Sequence, residues 1–370
     1  MTTPYFVTTH SGMESIVIRE MADFGLLATF STEHQSGYVQ VNVKSPSQLF
    51  SLKTIHHVLS LRLKAETTCP WTLDMIRQQA GMANFEELNT DEAGSMRVTA
   101  FRHDKTLPFT SEQVELEVAD VILNRYPYPV RMKCPTYTVR VDVHQHHLMI
   151  SLQLTPVSLS KRRVKPYSPV TAMKSSLANA MLMMGDLSPN MTLLDPFVGS
   201  GTLLLQAYER DPTLKLHGID YCTTAIEGLN LNLQSEGVLN ANIIHANSLQ
   251  LSSYIEAASI DRIITDPPYG VRTSKHKKFF EFYLSFLAQA RRVLKPGGLL
   301  VMILVKRRSF DDALSRINGF EMKEQFQIKL GGFTAHIVKL CFIGQDSKQR
   351  NKGEGLHLNK NQRSTESVAF

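Results

Sequence analysis

Six consecutive residues, Thr265-Asp266-Pro267-Pro268-Tyr269-Gly270, set a carboxylate, two prolines and an aromatic ring at the end of a short apolar run, Ile260 to Ile264. A run of that length and β-branched make-up reads as a buried strand. In open α/β sheets, ligands bind beyond the carboxyl ends of strands. Two consecutive prolines remove two backbone N–H donors and bias the preceding residue towards extended geometry. What remains is a ledge of acceptors, the Asp266 carboxylate beside backbone carbonyls, with the Tyr269 ring able to stack on a flat base. Such a ledge suits a planar substrate that carries an exocyclic NH2 group. A Pro-rich turn that only closes a strand uses the same residue types, so the other strand ends decide between the two.

Asp195-Pro196-Phe197-Val198-Gly199-Ser200-Gly201-Thr202 follows the strand Thr192-Leu193-Leu194 and opens a helix from Leu203 to Tyr208. Gly199 and Gly201 let the backbone approach a ligand, and the free N–H groups at a helix start favour an anionic group. The chain has no GxxxxGK[ST] pattern, which argues against a phosphate-cradling loop. A second strand ends in Gly218-Ile219-Asp220, where an acid suits the two hydroxyls of a ribose. A third ends in His245-Ala246-Asn247, where the amide suits an adenine edge or, equally, caps a helix. Asp195, Asp220, Asn247 and Asp266 thus all fall at carboxyl ends of successive strands, which capping alone does not explain.

The elements that position these residues alternate strand and helix from about Ser168 onward, the pattern of a parallel sheet with crossovers. Further strands are expected at Lys215–Ile219, Ala241–His245, Leu299–Val305, Glu321–Leu330 and Thr334–Ile343. Upstream, Pro4 to about Val43 reads as strand, helix, strand, and about Gln48 to Pro156 as a mixed α/β region. That region holds strands at Met96–Arg102, Tyr137–Val143 and Leu148–Leu154 and a capped helix from Ser111 to Arg125. His144-Gln145-His146-His147 is expected to be a solvated turn, and no resident metal is expected.

The 370 residues contain 40 Lys and Arg against 34 Asp and Glu, a formal charge of +6, and the isoelectric point near 9.0 favours a polyanionic partner. No apolar run approaches a membrane span, and Met1 to His10 does not read as a secretory signal. Cys69, Cys134, Cys222 and Cys341 form no CxxC pair, which points to a reducing, cytoplasmic setting.

At these positions the chain resembles the class I S-adenosylmethionine-dependent methyltransferases, in the branch whose D/N-P-P-Y motif acts on exocyclic amines. The resemblance makes Asp195, Phe197, Gly199, Gly201 and Thr202 the cofactor loop and Asp220 the ribose acid. It makes Asn247 and Asp266 further cofactor contacts, and Asp266, Pro267, Pro268 and Tyr269 the catalytic motif. Lys295-Pro296-Gly297-Gly298 is similar to the turn leading into that class's fifth strand. Asn247 departs from the usual Asp, although its amide carbonyl can accept from adenine N6.

The upstream half resembles a THUMP module preceded by a small ferredoxin-like domain, on Phe101-Arg102, Phe109 to Val114 and Leu159 to Arg163. The combined match looks like the tRNA guanosine N2-methyltransferases that modify position 6 or position 10, with Asp-Pro-Pro-Tyr-Gly-Val-Arg leaning towards the position-10 type. It implies an α/β fold: a ferredoxin-like region over 1–47, a THUMP-like RNA-binding domain over 48–158, a Rossmann-like methyltransferase domain over 159–345 and a disordered polar tail over 346–370. It also implies S-adenosylmethionine as cofactor, tRNA as partner and, in some relatives, a small zinc-containing activator protein. Arg272, Lys275, Lys277 and Lys278 after the motif, and Lys161, Arg162 and Arg163 at the domain junction, are the expected RNA contacts. Lys306, Arg307 and Arg308 would extend that stripe. The competing readings are a DNA amino-methyltransferase, acting on adenine N6 or cytosine N4, and a non-catalytic tRNA-binding subunit.

Overall fold

The computed structural model describes residues 4–30, 36–85, 88, 94–162, 164–268 and 276–344, without the side chains of 28–30, 276 and 277. The expected tail, 346–370, lies outside the described residues, as do Arg163, Tyr269, Arg272 and Lys275.

The first half of the chain runs β1 (Tyr5–Thr8), α1 (Glu14–Asp23), β2 (Ala28–Phe30), β3 (Tyr38–Val41) and β4 (His57–Glu66). It continues through α2 (Leu73–Met82), β5 (Met96–Arg102), α3 (Ser111–Arg125), β6 (Tyr137–Val143) and β7 (His147–Gln153). Its strands form one seven-stranded sheet in the order β2-β3-β1-β4-β7-β6-β5, so the two expected upstream regions share a continuous ladder. The joining strand is β4, antiparallel to β1 on one side and to β7 on the other. The helix expected after Thr110 starts where its capping box dictates. Thr110 Oγ1 accepts from Gln113 N at 3.2 Å, and Gln113 Oε1 accepts from Thr110 N at 2.8 Å.

The second half begins with α4 (Ser175–Met184), β8 (Thr192–Asp195), α5 (Thr202–Arg210), β9 (Lys215–Asp220), α6 (Thr223–Ser235) and β10 (Asn242–His245). It ends with β11 (Ile260–Thr265), α7 (His276–Val293), β12 (Leu294–Leu304), α8 (Arg307–Leu314), β13 (Phe320–Leu330) and β14 (Phe333–Phe342). The sheet order is β10-β9-β8-β11-β12-β14-β13. It is parallel from β10 to β12 and closes with the antiparallel pair β14 and β13. The order reverses between β8 and β11, the switch point at which doubly wound sheets open a crevice.

The two halves share a core. Met13, the N-cap residue of α1, and Ile16 within the helix are fully buried in the cluster that holds Leu177, Met181, Ile328 and Ile337 of the second half. Val17 and Met21 of the same helix face the first sheet, against Val7, Val39 and Val58. The turn before α1 is fitted to β13: Lys329 N donates to the Ser11 carbonyl at 2.9 Å. Gly12 has φ +95°, and a Cβ there would lie 1.9 Å from the Gln327 carbonyl oxygen, so only glycine fits.

Candidate active site

A cleft of about 720 Å³ opens at the carboxyl ends of β8, β9 and β11, within the range of a nucleoside-sized ligand. Asp195, Phe197, Gly199, Thr202 and Asp220 line it, together with Asp266, Pro267 and Pro268. Strands ending at one edge of the sheet thus bring together residues about 70 positions apart in the chain.

Asp195 ends β8 and is only 2% exposed. Its Oδ1 accepts from Thr265 Oγ1 at 2.7 Å and from Phe197 N at 3.2 Å. Burial pushes this carboxyl up to about 7, the nearby Asp266 and Asp220 charges add to the rise, and the two hydrogen bonds oppose it. Because Thr265 immediately precedes Asp266, the bond from β11 to β8 also fixes where the Asp-Pro-Pro ledge begins.

The loop after Asp195 is held open for a ligand. Val198 N donates to the Ile219 carbonyl at 3.0 Å, and Asp220 Oδ2 accepts from Gly199 N at 3.0 Å. Asp220 Oδ1 accepts from Cys222 N at 2.9 Å, so the carboxylate is held at the cleft wall. Gly201 is the N-cap of α5 in left-handed geometry, φ +78°; a Cβ there would meet Leu229 Cδ1 at 2.2 Å. A roomy cleft, a glycine loop and a pinned acid suit the adenosine part of S-adenosylmethionine.

Other expected site residues are placed differently. Asn247 is exposed and outside the cleft lining. Its Oδ1 accepts from Leu249 N at 2.9 Å as the N-cap of a short 3-10 turn. Arg162 is also engaged: its Nη2 donates to the Phe50 and Leu52 carbonyls at 2.6 Å each, tying the start of the second half to the first. Arg307 binds Asp311 at 2.7 Å. Lys161 and Lys278 are exposed, and Lys277 lies in α7.

Three contributors have no local motif. The segment 167–173 supplies Tyr167, Pro169, Thr171, Ala172 and Met173 to the cleft, although it follows the first half of the chain. Buried Asn232 of α6 clamps that segment to the glycine loop. Its Nδ2 donates to the Tyr167 and Ser200 carbonyls at 2.8 and 2.9 Å, and its Oδ1 accepts from Tyr167 N at 2.9 Å. Phe333, the first residue of β14, brings an aromatic ring to the cleft that also holds Pro267 and Pro268.

Comparison with known proteins agrees with this architecture. Residues 162–336 match the family model of the RMKL-like methyltransferase domain, and residues 72–153 match the THUMP domain. A tRNA (guanine(6)-N2)-methyltransferase from Thermus thermophilus is 29% identical over 90% of this chain and 98% of its own length. A protein of the same name from Methanocaldococcus jannaschii is 21% identical over 91% of this chain and 99% of its own length. The crystal structure of TrmN from Thermus thermophilus superposes with a TM-score of 0.76, at 27% identity, covering 92% of this chain and 99% of that one. The chain is an S-adenosylmethionine-dependent methyltransferase in which a segment matching the THUMP domain precedes one matching the RMKL-like methyltransferase domain.

Proposed function

We propose that the chain methylates the exocyclic N2 amine of a guanosine in tRNA, at position 6. The observation that carries this reading is the Asp266-Pro267-Pro268 ledge at the rim of a nucleoside-sized cleft, in a chain that also carries a THUMP domain. Position 6 replaces the lean towards position 10 because two relatives that align over nine-tenths of the chain bear the position-6 name.

The guanine N2 lone pair is delocalised into the ring and is a weak nucleophile. The Asp266 carboxylate and the Pro267 carbonyl offer two acceptors to its two hydrogens, which draws electron density back onto nitrogen. Asp266 then stands ready for the proton the amine sheds. Bound S-adenosylmethionine supplies a methyl group already activated on a sulfonium. Positioning therefore carries much of the rate, and orientation alone can be worth roughly 7–11 kcal/mol. A paired guanine must leave its stack at a cost of a few kcal/mol. Stacking against Phe333, with Tyr269 as the second candidate, offsets that cost. Exposed Lys161 and Lys278, with Arg272, Lys275 and Lys277, are the residues proposed for the phosphate backbone.

Nucleoside mass spectrometry of tRNA incubated with purified protein and S-adenosylmethionine tests the reading. N2-methylguanosine should form, map to position 6 and vanish with Asp266→Ala. Methylation of DNA with tRNA untouched would move the chain to the amino-methyltransferases of DNA. Retained tRNA binding without any transfer would make it a binding subunit. Activity in cell extract and none in the purified chain would mark the need for a zinc-containing activator protein.

A further inference from the structure

We infer that Lys165 seats the carboxylate of the cofactor's methionine arm, and so selects S-adenosylmethionine and its product over adenosine derivatives that lack that arm. Lys165 lies near the start of the matched methyltransferase domain, ahead of α4, and carries none of the motifs above. Its Nζ donates to Thr202 Oγ1 at 2.6 Å and lies 3.5 Å from Ser200 Oγ. Both hydroxyl residues line the cleft.

The ammonium is half-buried, and burial alone shifts its pKa, downward. No carboxylate forms an ion pair with it among the described residues. A cation removed from water without a counter-ion is costly, and an anionic ligand relieves that cost. The neighbouring helix start asks for the same partner: α5 has no side-chain cap and no acidic residue in its first turn. Its N–H groups and the lysine therefore favour one anion at one place.

The polarity of the cleft fits a single orientation. The glycine loop touches Asp220 through Gly199 and Lys165 through Ser200 and Thr202. An acceptor for a diol thus meets the loop at Gly199 and a donor for a carboxylate meets it at Ser200 and Thr202. S-adenosylmethionine carries those two groups at separated places, on the ribose and on the amino-acid arm. The inference rests on the cofactor assignment of the cleft, not on the choice of nucleic acid.

Calorimetric titration of the full chain with S-adenosylhomocysteine and with 5′-methylthioadenosine separates the possibilities. The second compound keeps adenine, ribose and thioether but lacks the amino-acid arm. Lys165→Met should weaken S-adenosylhomocysteine binding by roughly 10- to 100-fold, the worth of a hydrogen-bonded charge. It should leave 5′-methylthioadenosine within about twofold, and Lys165→Arg should recover most of the loss. Unchanged S-adenosylhomocysteine affinity would overturn the inference. Equal weakening of both ligands would do the same, since it would mean that the lysine only braces the loop. So would a fall in tRNA affinity with the ratio of the two ligands unaltered, because the lysine would then belong to the RNA path. A wild-type chain that binds neither compound would overturn the cofactor assignment itself.

Discussion

Asp195 illustrates how one side chain serves two ends of the site. Its carboxyl is held up to about 7 by burial, against an ordinary value near 3.8. The folded protein therefore keeps a proton that the unfolded chain releases between those values. The stabilising effect of that proton is complete below about pH 4 and is lost as pH rises through about 7. Asp195→Asn retains an acceptor for Thr265 and removes the titration. Its melting temperature should gain on the wild type by several degrees between pH 5 and pH 8, the upper limit being on the order of 4 kcal/mol. A difference that does not change with pH would show that Asp195 is ionised in the folded state. Phe333→Ala tests the proposed base platform: tRNA turnover should fall roughly tenfold or more, with S-adenosylhomocysteine affinity retained. Equal loss of both would place the ring in the cofactor half of the cleft.

Elements with local signatures are the ones that sequence alone locates. The strands ending in Asp195, Asp220 and Thr265 are short β-branched or leucine-rich runs that stop at a polar residue, and α3 carries a capping box. β4 has no such signature: a bulge between Leu61 and Leu63 sends Leu59 and Leu61 to one apolar cluster and Leu63 and Ala65 to another, no turn residue sets the strand off, and it stays unassigned within a mixed region. Asn247 is ambiguous for a physical reason: the carbonyl that accepts from an adenine amine is the same atom that caps a 3-10 turn. The segment 167–173, Phe333 and Asn232 are illegible for another reason. Their roles exist only through contacts that span tens of residues, such as the 65 between Tyr167 and Asn232. Asn232→Ala would strip three hydrogen bonds from the buried clamp. It should destabilise the protein by on the order of 2–4 kcal/mol and weaken S-adenosylhomocysteine binding at least tenfold. A stable variant with normal affinity would show that apolar packing alone holds the segment.

At the scale of the whole molecule, α1 joins two cores. Met13 and Ile16 pack with α4, β13 and β14, while Val17 and Met21 pack with the first sheet. Arg19 and Glu324 add an ion pair at 2.9 Å across the same junction. Replacing both Met13 and Ile16 with Ala should cost roughly 2–5 kcal/mol at each position. Hydrogen exchange should then quicken in α4 and in the β13–β14 pair, far along the chain from either substitution. Protection unchanged there would sink the account of a shared core.

The same helix constrains how the polypeptide is made. Its ion-pair partner on β13 lies 305 residues downstream, and synthesis proceeds at about 5–20 residues per second. An α1 that leaves the ribosome early must therefore wait on the order of tens of seconds for the strands that cover Met13 and Ile16. The upstream sheet can assemble in that interval, but the methyltransferase core cannot close until β13 and β14 have emerged. A nascent chain stalled before β13 should hence expose an apolar helix face, present it to chaperones and resist release in soluble form.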